Sequence, residues 1–274
     1  MAAAESARWV RAGRVPGSAV AGLAALLFGV APALGQNVEA QYTITLAGLT
    51  IGKAAISGQL SGSSYTLNVS SALTGLVGAV SRGQGSAAAR GQIGGGTVLT
   101  NGFSFSASNG TDQRSVQIVA SGGSVRSVVI EPPFDQKDDR VPVRPAHRNG
   151  VLDPVSALVM PSKAVDPLDK ANCERRLPVF DGSQRFDIVL SYAGTQQVES
   201  EGGYSGPVLV CAARYVPVAG HRPNRRVTKF MIENRDMQAW LAPVKSGRLL
   251  LPYRISVRTM IGTTIIEATR FNPG

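Results

Sequence analysis

The chain of 274 residues is poor in the side chains that carry most recognisable chemistry: two Cys, two His and 6% aromatic residues. With only Cys173 and Cys211, it cannot build the dense disulfide frame of a small secreted scaffold. Neither Cys has the close Cys or His neighbours that a zinc or dithiol site requires. No Gly-x-Ser-x-Gly elbow presents a nucleophile to His147 or His221, and both histidines sit in Pro- and Arg-rich stretches. Asp135, Asp138 and Asp139 lack the alternate-position ligands and Gly of a calcium loop, and Lys137 and Arg140 offset their charge. Gly83-Gln84-Gly85 and Gly94-Gly95-Gly96 precede strand patterns rather than helices, so they mark bends or bulges instead of a phosphate cradle. No catalytic residue, metal site or cofactor is assigned on these grounds.

Long apolar runs are equally scarce. Only residues 19–34 approach a membrane span, which excludes a multi-spanning membrane protein. That run follows Arg8, Arg11 and Arg14 and ends in small residues, the three-part form of a secretory signal. Cleavage is expected after Ala33-Leu34-Gly35, with Ala31-Pro32-Ala33 as the other fit, giving a signal peptide over 1–35. An uncleaved anchor is the alternative, disfavoured because Gly22, Gly29 and Pro32 interrupt a short run. No Cys near the cleavage point is available to carry a lipid. Residues 36–274 are therefore expected to be a single periplasmic β-rich domain without a stable transmembrane span.

The formal charge is +10; residues 1–35 hold three Arg and one Glu, which leaves 25 basic and 17 acidic side chains, a charge of +8. In the periplasm such an excess meets lipid, lipoprotein or another anionic envelope component rather than nucleic acid, unless it is only solubility charge spread over the surface. An oxidising compartment also favours a Cys173–Cys211 bridge, read as structural and worth about 4 kcal/mol by loop closure.

From Val38 to Glu131, short runs alternate apolar and polar residues between Gly, Ser and Asn, as in Tyr42 to Leu46, Ala54 to Leu60 and Tyr65 to Val69. Further runs cover Phe103 to Ala107, Ser115 to Val119 and Val125 to Ile130, then Arg185 to Tyr192, Pro207 to Val216, Gln238 to Ala242, Tyr253 to Met260 and Thr263 to Phe271. Period-two alternation with abundant small residues predicts a mainly β fold of about a dozen strands: a curved antiparallel sheet, half-barrel or open barrel, with a few short helices. Pro132 to Asn149 reads as an exposed loop. Asp153-Pro154 is the clearest helix start, with apolar turns over Val155 to Met160, placed in the concavity or on the outside of the sheet. A short basic helix is expected within Arg222 to Glu233.

The apolar strand positions Ile44, Leu46, Ile56, Leu67, Val69, Phe103, Phe105 and Trp240 are expected to line the concave face, as a ligand surface or as filled core. Phe103, Phe105 and Trp240 are the candidate ligand contacts, with Arg225 and Arg226 placed to hold a headgroup. The reading is a non-enzymatic protein that binds a hydrophobic or amphipathic ligand or an envelope partner. The alternatives are an envelope hydrolase using Asp181, Asp187 or His221, and a structural envelope-assembly protein.

Pro178-Val179-Phe180-Asp181-Gly182 with Arg185-Phe186-Asp187, Cys211 with Tyr215 to His221, Ala239 to Pro243 and Leu251 to Ile255 form a recurring set of phrases. With Gly48-Leu49 and Gly52, they make the chain resemble exported bacterial proteins known only as domain of unknown function 3108, over nearly all of 38–272. The resemblance implies a periplasmic antiparallel β protein and supplies no catalytic residues. In strand count and curvature the chain also resembles half-barrel carriers of lipids and lipoproteins, a likeness of architecture alone. Export predicts that the protein recovered from a periplasmic extract starts within two residues of Gln36; an intact Met1 on N-terminal sequencing would refute cleavage.

Overall fold

The computed structural model describes residues 35–61, 63–134, 139–244 and 248–274. The expected signal segment, apart from Gly35, lies outside the described residues, as do Asp135, Lys137, Asp138 and Gly62. The first seven strands are β1 (Gln36–Leu46), β2 (Leu49–Ser61), β3 (Ser64–Leu73), β4 (Gln84–Gly94), β5 (Thr97–Ser108), β6 (Gln113–Ser121) and β7 (Ser124–Glu131). Helix α1 (Gly75–Ser81) joins β3 to β4. After the short β8 (Met160–Pro161) come β9 (Arg175–Phe180), β10 (Arg185–Glu199), β11 (Ser205–Ala219), α2 (Arg226–Glu233), β12 (Met237–Pro243), β13 (Leu249–Thr259) and β14 (Gly262–Asn272).

All strands belong to one antiparallel sheet in the order β7-β6-β5-β4-β3-β2-β1-β14-β13-β12-β11-β10-β9, with β8 on β13. Pairing β1 with β14, from Glu39↔Asn272 to Leu46↔Thr264, joins two meanders into one surface. The mainly β, curved antiparallel architecture is the one expected, and the sheet does not close: among the described residues no ladder joins β7 to β9.

The two halves of the sheet bury different amounts of surface. In β3, buried Tyr65 and Leu67 alternate with exposed Thr66 and Asn68, so one face is dry and the other wet. In β11, Val208, Leu209, Val210 and Cys211 are all buried, which requires cover on both faces. The inner cluster runs from Val38, Tyr65, Phe103 and Ile118 to Val208, Tyr253 and Phe271. The outer cluster gathers Met160, Cys173, Leu190, Leu209, Cys211 and Leu241, with Met231 of α2 packed on it. The Cys173–Cys211 disulfide ties the segment covering this outer face to β11, across a Cα–Cα distance of 5.4 Å.

The seam between β7 and β9 is stitched by residues 150–152. Val151 donates its N–H to Gly123 O (3.0 Å), Leu152 donates to Pro178 O (2.7 Å), and Phe180 donates back to Leu152 O (2.8 Å). Residues 153–159 then turn inward, and Val155 and Val159 join the inner cluster beside Phe180. The chain's own segment thereby covers the concave face around Tyr65 and Phe103, while Ile56, Val69, Phe105, Trp240 and Ile266 farther along it are only partly buried. Of the two placements open to the Asp153-Pro154 element, the inner one is realised. It is one 3-10 turn, Ser156–Leu158, instead of an α-helix. It ends where Met160 and Pro161 pair with Leu250 and Leu249.

Two further elements lack a local signal. β4 is a full strand although Gly, Ser and Ala dominate it. Its register shifts at Arg90/Gly91, and a Cβ on Gly91 would lie 2.1 Å from Leu99 O and 2.5 Å from the Tyr65 hydroxyl, so only glycine lets Tyr65 cross there. Helix α1 replaces part of what reads as continuous strand pattern. The basic helix is present as α2. Replacing both cysteines by Ala releases the cover of the outer face. Thermal unfolding of the double variant is expected to fall by about 10 °C, from roughly 4 kcal/mol of lost loop closure; an unchanged midpoint would contradict this role.

Candidate functional site

The inward segment is held by a buried polar latch. Asp153, 2% exposed, accepts through Oδ1 from the backbone N–H of Val155 (3.0 Å) and Ser156 (2.8 Å). Its Oδ2 accepts from the Thr100 hydroxyl of β5 (2.9 Å) and from the Ser156 hydroxyl. Ser156 in turn accepts from the Tyr65 hydroxyl of β3 (2.5 Å), and Asp153 N–H returns a bond to Thr100 Oγ1 (3.2 Å). Every polar group in this set has a partner, which is the condition for burying it. Burial pushes the Asp153 carboxyl above its usual range and the Tyr65 hydroxyl up to about 12. Ser156 is fully buried against this carboxyl, so the cluster is an anchor and not an exposed nucleophile.

Beside the latch, the seam leaves an open groove of about 520 Å³ between the β4–β5 turn and β9. Val98, Leu99, Val151, Leu152, Val159 and Leu177 supply its apolar wall, and Lys163, Glu174, Arg175 and Arg176 its polar rim. The volume lies in the range of small-ligand sites. Asp187 occupies Arg176 and Arg185, each at 2.5 Å. Arg175 instead donates Nε to Asn172 O (2.7 Å) and Nη2 to Pro161 O (3.0 Å), and no carboxylate among the described residues pairs with it. Its pKa is lowered by desolvation, the direction expected of a half-buried cation without an anion.

The outer edge of β9 gives little purchase to an added strand. Pro178 has no N–H, Leu152 occupies the Pro178 O and Phe180 N positions, and Lys163 Nζ donates to Glu174 O (2.6 Å). By strand alternation only the Arg176 main chain is left on that side, an edge blunted by Pro and Lys. The groove thus offers apolar surface and positive charge more than a hydrogen-bonding template.

The residues expected from sequence to form a site are not brought together as one. Phe103 is buried in the inner cluster, and Phe105 and Trp240 pack against it from strands β5 and β12, with Arg254 4.7 Å over the Trp240 ring. Arg225 and Arg226 are exposed at the start of α2, which packs through Met231 on the outer cluster, across the sheet from these aromatics. Asp181 accepts from Ser183 N (2.8 Å) and Gln184 N (2.7 Å) and so holds the β9–β10 turn, while Asp187 is neutralised by its two arginines. His147 Nδ1 accepts from Arg144 N (3.1 Å) in its own turn. His221 Nδ1 is buried without a partner among the described residues, and burial lowers its pKa. Sequence reasoning missed Arg175, Lys163 and the groove because 96–99 and 174–178 meet only through the sheet's curl. For the latch it marked Asp153 as a cap but gave no hint of Thr100 or Tyr65.

Fold and seam define an unclosed, barrel-like antiparallel β protein. The chain belongs to the family described as protein of unknown function (DUF3108), whose profile matches residues 41–269. It is similar to a solved structure described as a β-barrel-like protein of domain of unknown function DUF1849 from Brucella abortus. That likeness has a TM-score of 0.45 and 10% identity and covers 86% of this chain and 97% of that one. No curated protein matches.

The latch has a pH signature. Because the folded-state pKa of Asp153 is raised above 3.8, its contribution to stability is fully present below the unfolded value and is lost as pH rises through the folded value. Denaturant titrations across this window should show a falling stability that Asp153→Asn flattens, while Asp153→Ala, which strands Thr100 and two N–H groups, should cost about 3 kcal/mol. Equal pH slopes for wild type and Asp153→Asn would contradict the assignment.

Proposed function

We propose that this protein is an exported, non-enzymatic binding protein of the periplasm whose seam groove holds an amphipathic anion, such as an acidic lipid. The observation that carries this reading is Arg175, a half-buried guanidinium without a carboxylate partner among the described residues, set at the rim of an apolar groove. An acyl chain would lie between Leu99 and Leu177 with its acidic head at Arg175 and Lys163. Burying apolar surface supplies affinity at roughly 25 cal/mol per Å², and the charge-assisted contact fixes which end points outward. The inner cluster supports this location over the part of the concave face around Phe103, which already packs against the chain's own segment.

Titration of the mature protein with dansyl-undecanoic acid tests the reading. Binding in the micromolar range is expected, weakened at least about tenfold by Leu99→Asp and by Lys163→Glu, with the uncharged dansyl-undecanol insensitive to Lys163→Glu. Absence of binding, or equal binding by Leu99→Asp, would overturn it.

A further inference from the structure

At the end of the sheet away from the groove, large apolar side chains stand in water on neighbouring hairpin tips. Leu49, just past the β1–β2 turn, is 72% exposed, and Met260 and Ile261, which form the β13–β14 turn, are 48% and 77% exposed. The two tips are joined: Ala47 N–H donates to Thr263 O (2.9 Å), and a Cβ on Gly262 would lie 2.8 Å from the Ala47 Cβ. Helix α1 flanks the pair, since Thr74 N–H donates to Ile51 O (2.9 Å), and it adds Val77, 43% exposed. The tips are short, defined turns. Ala47 and Gly48 both have positive φ (49° and 84°), as a two-residue hairpin loop that matches strand twist requires. Of the other exposed large apolar residues, Val227 and Ile232 share α2, while Val119, Val129, Val165 and Tyr192 are spread over separate elements.

Charge surrounds this cap. Arg82 closes α1, Lys53 lies farther along β2, Arg258 immediately precedes the β13 end, and Arg235 follows α2; all four are exposed. Among the described residues only Arg258 of these has a carboxylate partner, Asp236 at 3.1 Å. The nearby Asp112 is engaged within its own turn by Asn109 Nδ2 (3.2 Å). Apolar tips flanked by Arg82, Lys53 and Arg235, none of which has a carboxylate partner among the described residues, match the layering of a bilayer surface, with acyl chains beneath anionic headgroups. The geometry points to the β1–β2 and β13–β14 tips, with α1, as a docking surface for an anionic lipid bilayer, entered by Leu49, Met260 and Ile261 and held by Arg82, Lys53 and Arg235. A protein docked this way turns its groove away from the membrane, because β4–β5 and the start of β9 lie at the opposite end of the strands.

The test uses the mature chain and unilamellar vesicles of mixed phosphatidylethanolamine and phosphatidylglycerol, with phosphatidylcholine vesicles as the neutral control. Sedimentation with the anionic vesicles and little with the neutral ones is expected. Leu49→Asp/Ile261→Asp should lower the bound fraction about tenfold while keeping its affinity for dansyl-undecanoic acid, so this surface and the groove are judged separately. As a second readout, the fluorescence of Ile261→Trp should shift to the blue on adding anionic vesicles and be quenched by brominated lipid. No sedimentation with anionic vesicles overturns the proposal, as does equal sedimentation of the double variant. A blue shift that follows protein concentration without vesicles also overturns it, by assigning the tips to a second copy of the chain.

Discussion

A curved antiparallel sheet that stops short of closing has a dry concave face to cover and two edges to guard, and here one carboxyl organises the answer to both. Asp153 fixes the turn that carries Val155 and Val159 onto the inner face, and it does so from β5 and β3 at once through Thr100 and the Ser156–Tyr65 pair. Residues 150–152 immediately before it bridge the β6–β7 turn to β9. Without the latch, the inner segment would have no polar anchor. The seam and the filling of the concavity therefore depend on one buried set of hydrogen bonds, which is stable only because every member has a partner.

The asymmetry of the sheet follows. β2 to β7 leave one face in water and are written in alternating Ser, Thr and Asn, whereas β11 and the parts of β10, β12 and β13 beside it are covered on both sides and need the disulfide-bound segment and α2 outside. The groove forms where these regimes meet: β9 belongs to the doubly covered half, and the β4–β5 turn to the exposed half. Its apolar wall joins Val98, Val151 and Val159 of the inner cluster to Leu177 of the outer one, and Arg175, held by backbone carbonyls, keeps its charge at the rim.

Strand patterning made the class of fold legible, because Tyr65, Leu67, Val116 and Ile118 alternate with polar residues in a way no helix tolerates. The bridge was legible from the presence of only two cysteines and the expectation of export. β4 was not, since its small residues carry no β preference and are selected by close approach, with Gly91 beneath Tyr65 the clearest instance. Asp153-Pro154 announced a helix start, and Asp153 does accept from the Val155 and Ser156 N–H groups, but the turn it starts is a single 3-10 turn that ends where Met160 and Pro161 join β13. Phe103, Phe105 and Trp240 lie on the inner face, and the cover over Phe103 depends on contacts between β3, β5 and residues 153–156 that no local pattern encodes. Arg225 and Arg226, prominent as a charge cluster, begin a helix on the other side of the sheet.

The account places any bound amphiphile at the seam and not inside the curve of the sheet. The most direct measurement is the anomalous diffraction of bromine from crystals of the mature protein soaked with a fatty acid brominated at its terminal carbon. A bromine peak between Leu99 and Leu177, with the Asp153 latch intact, is the predicted result. A peak among Tyr65, Phe103 and Ile118, with residues 153–159 displaced, would contradict it.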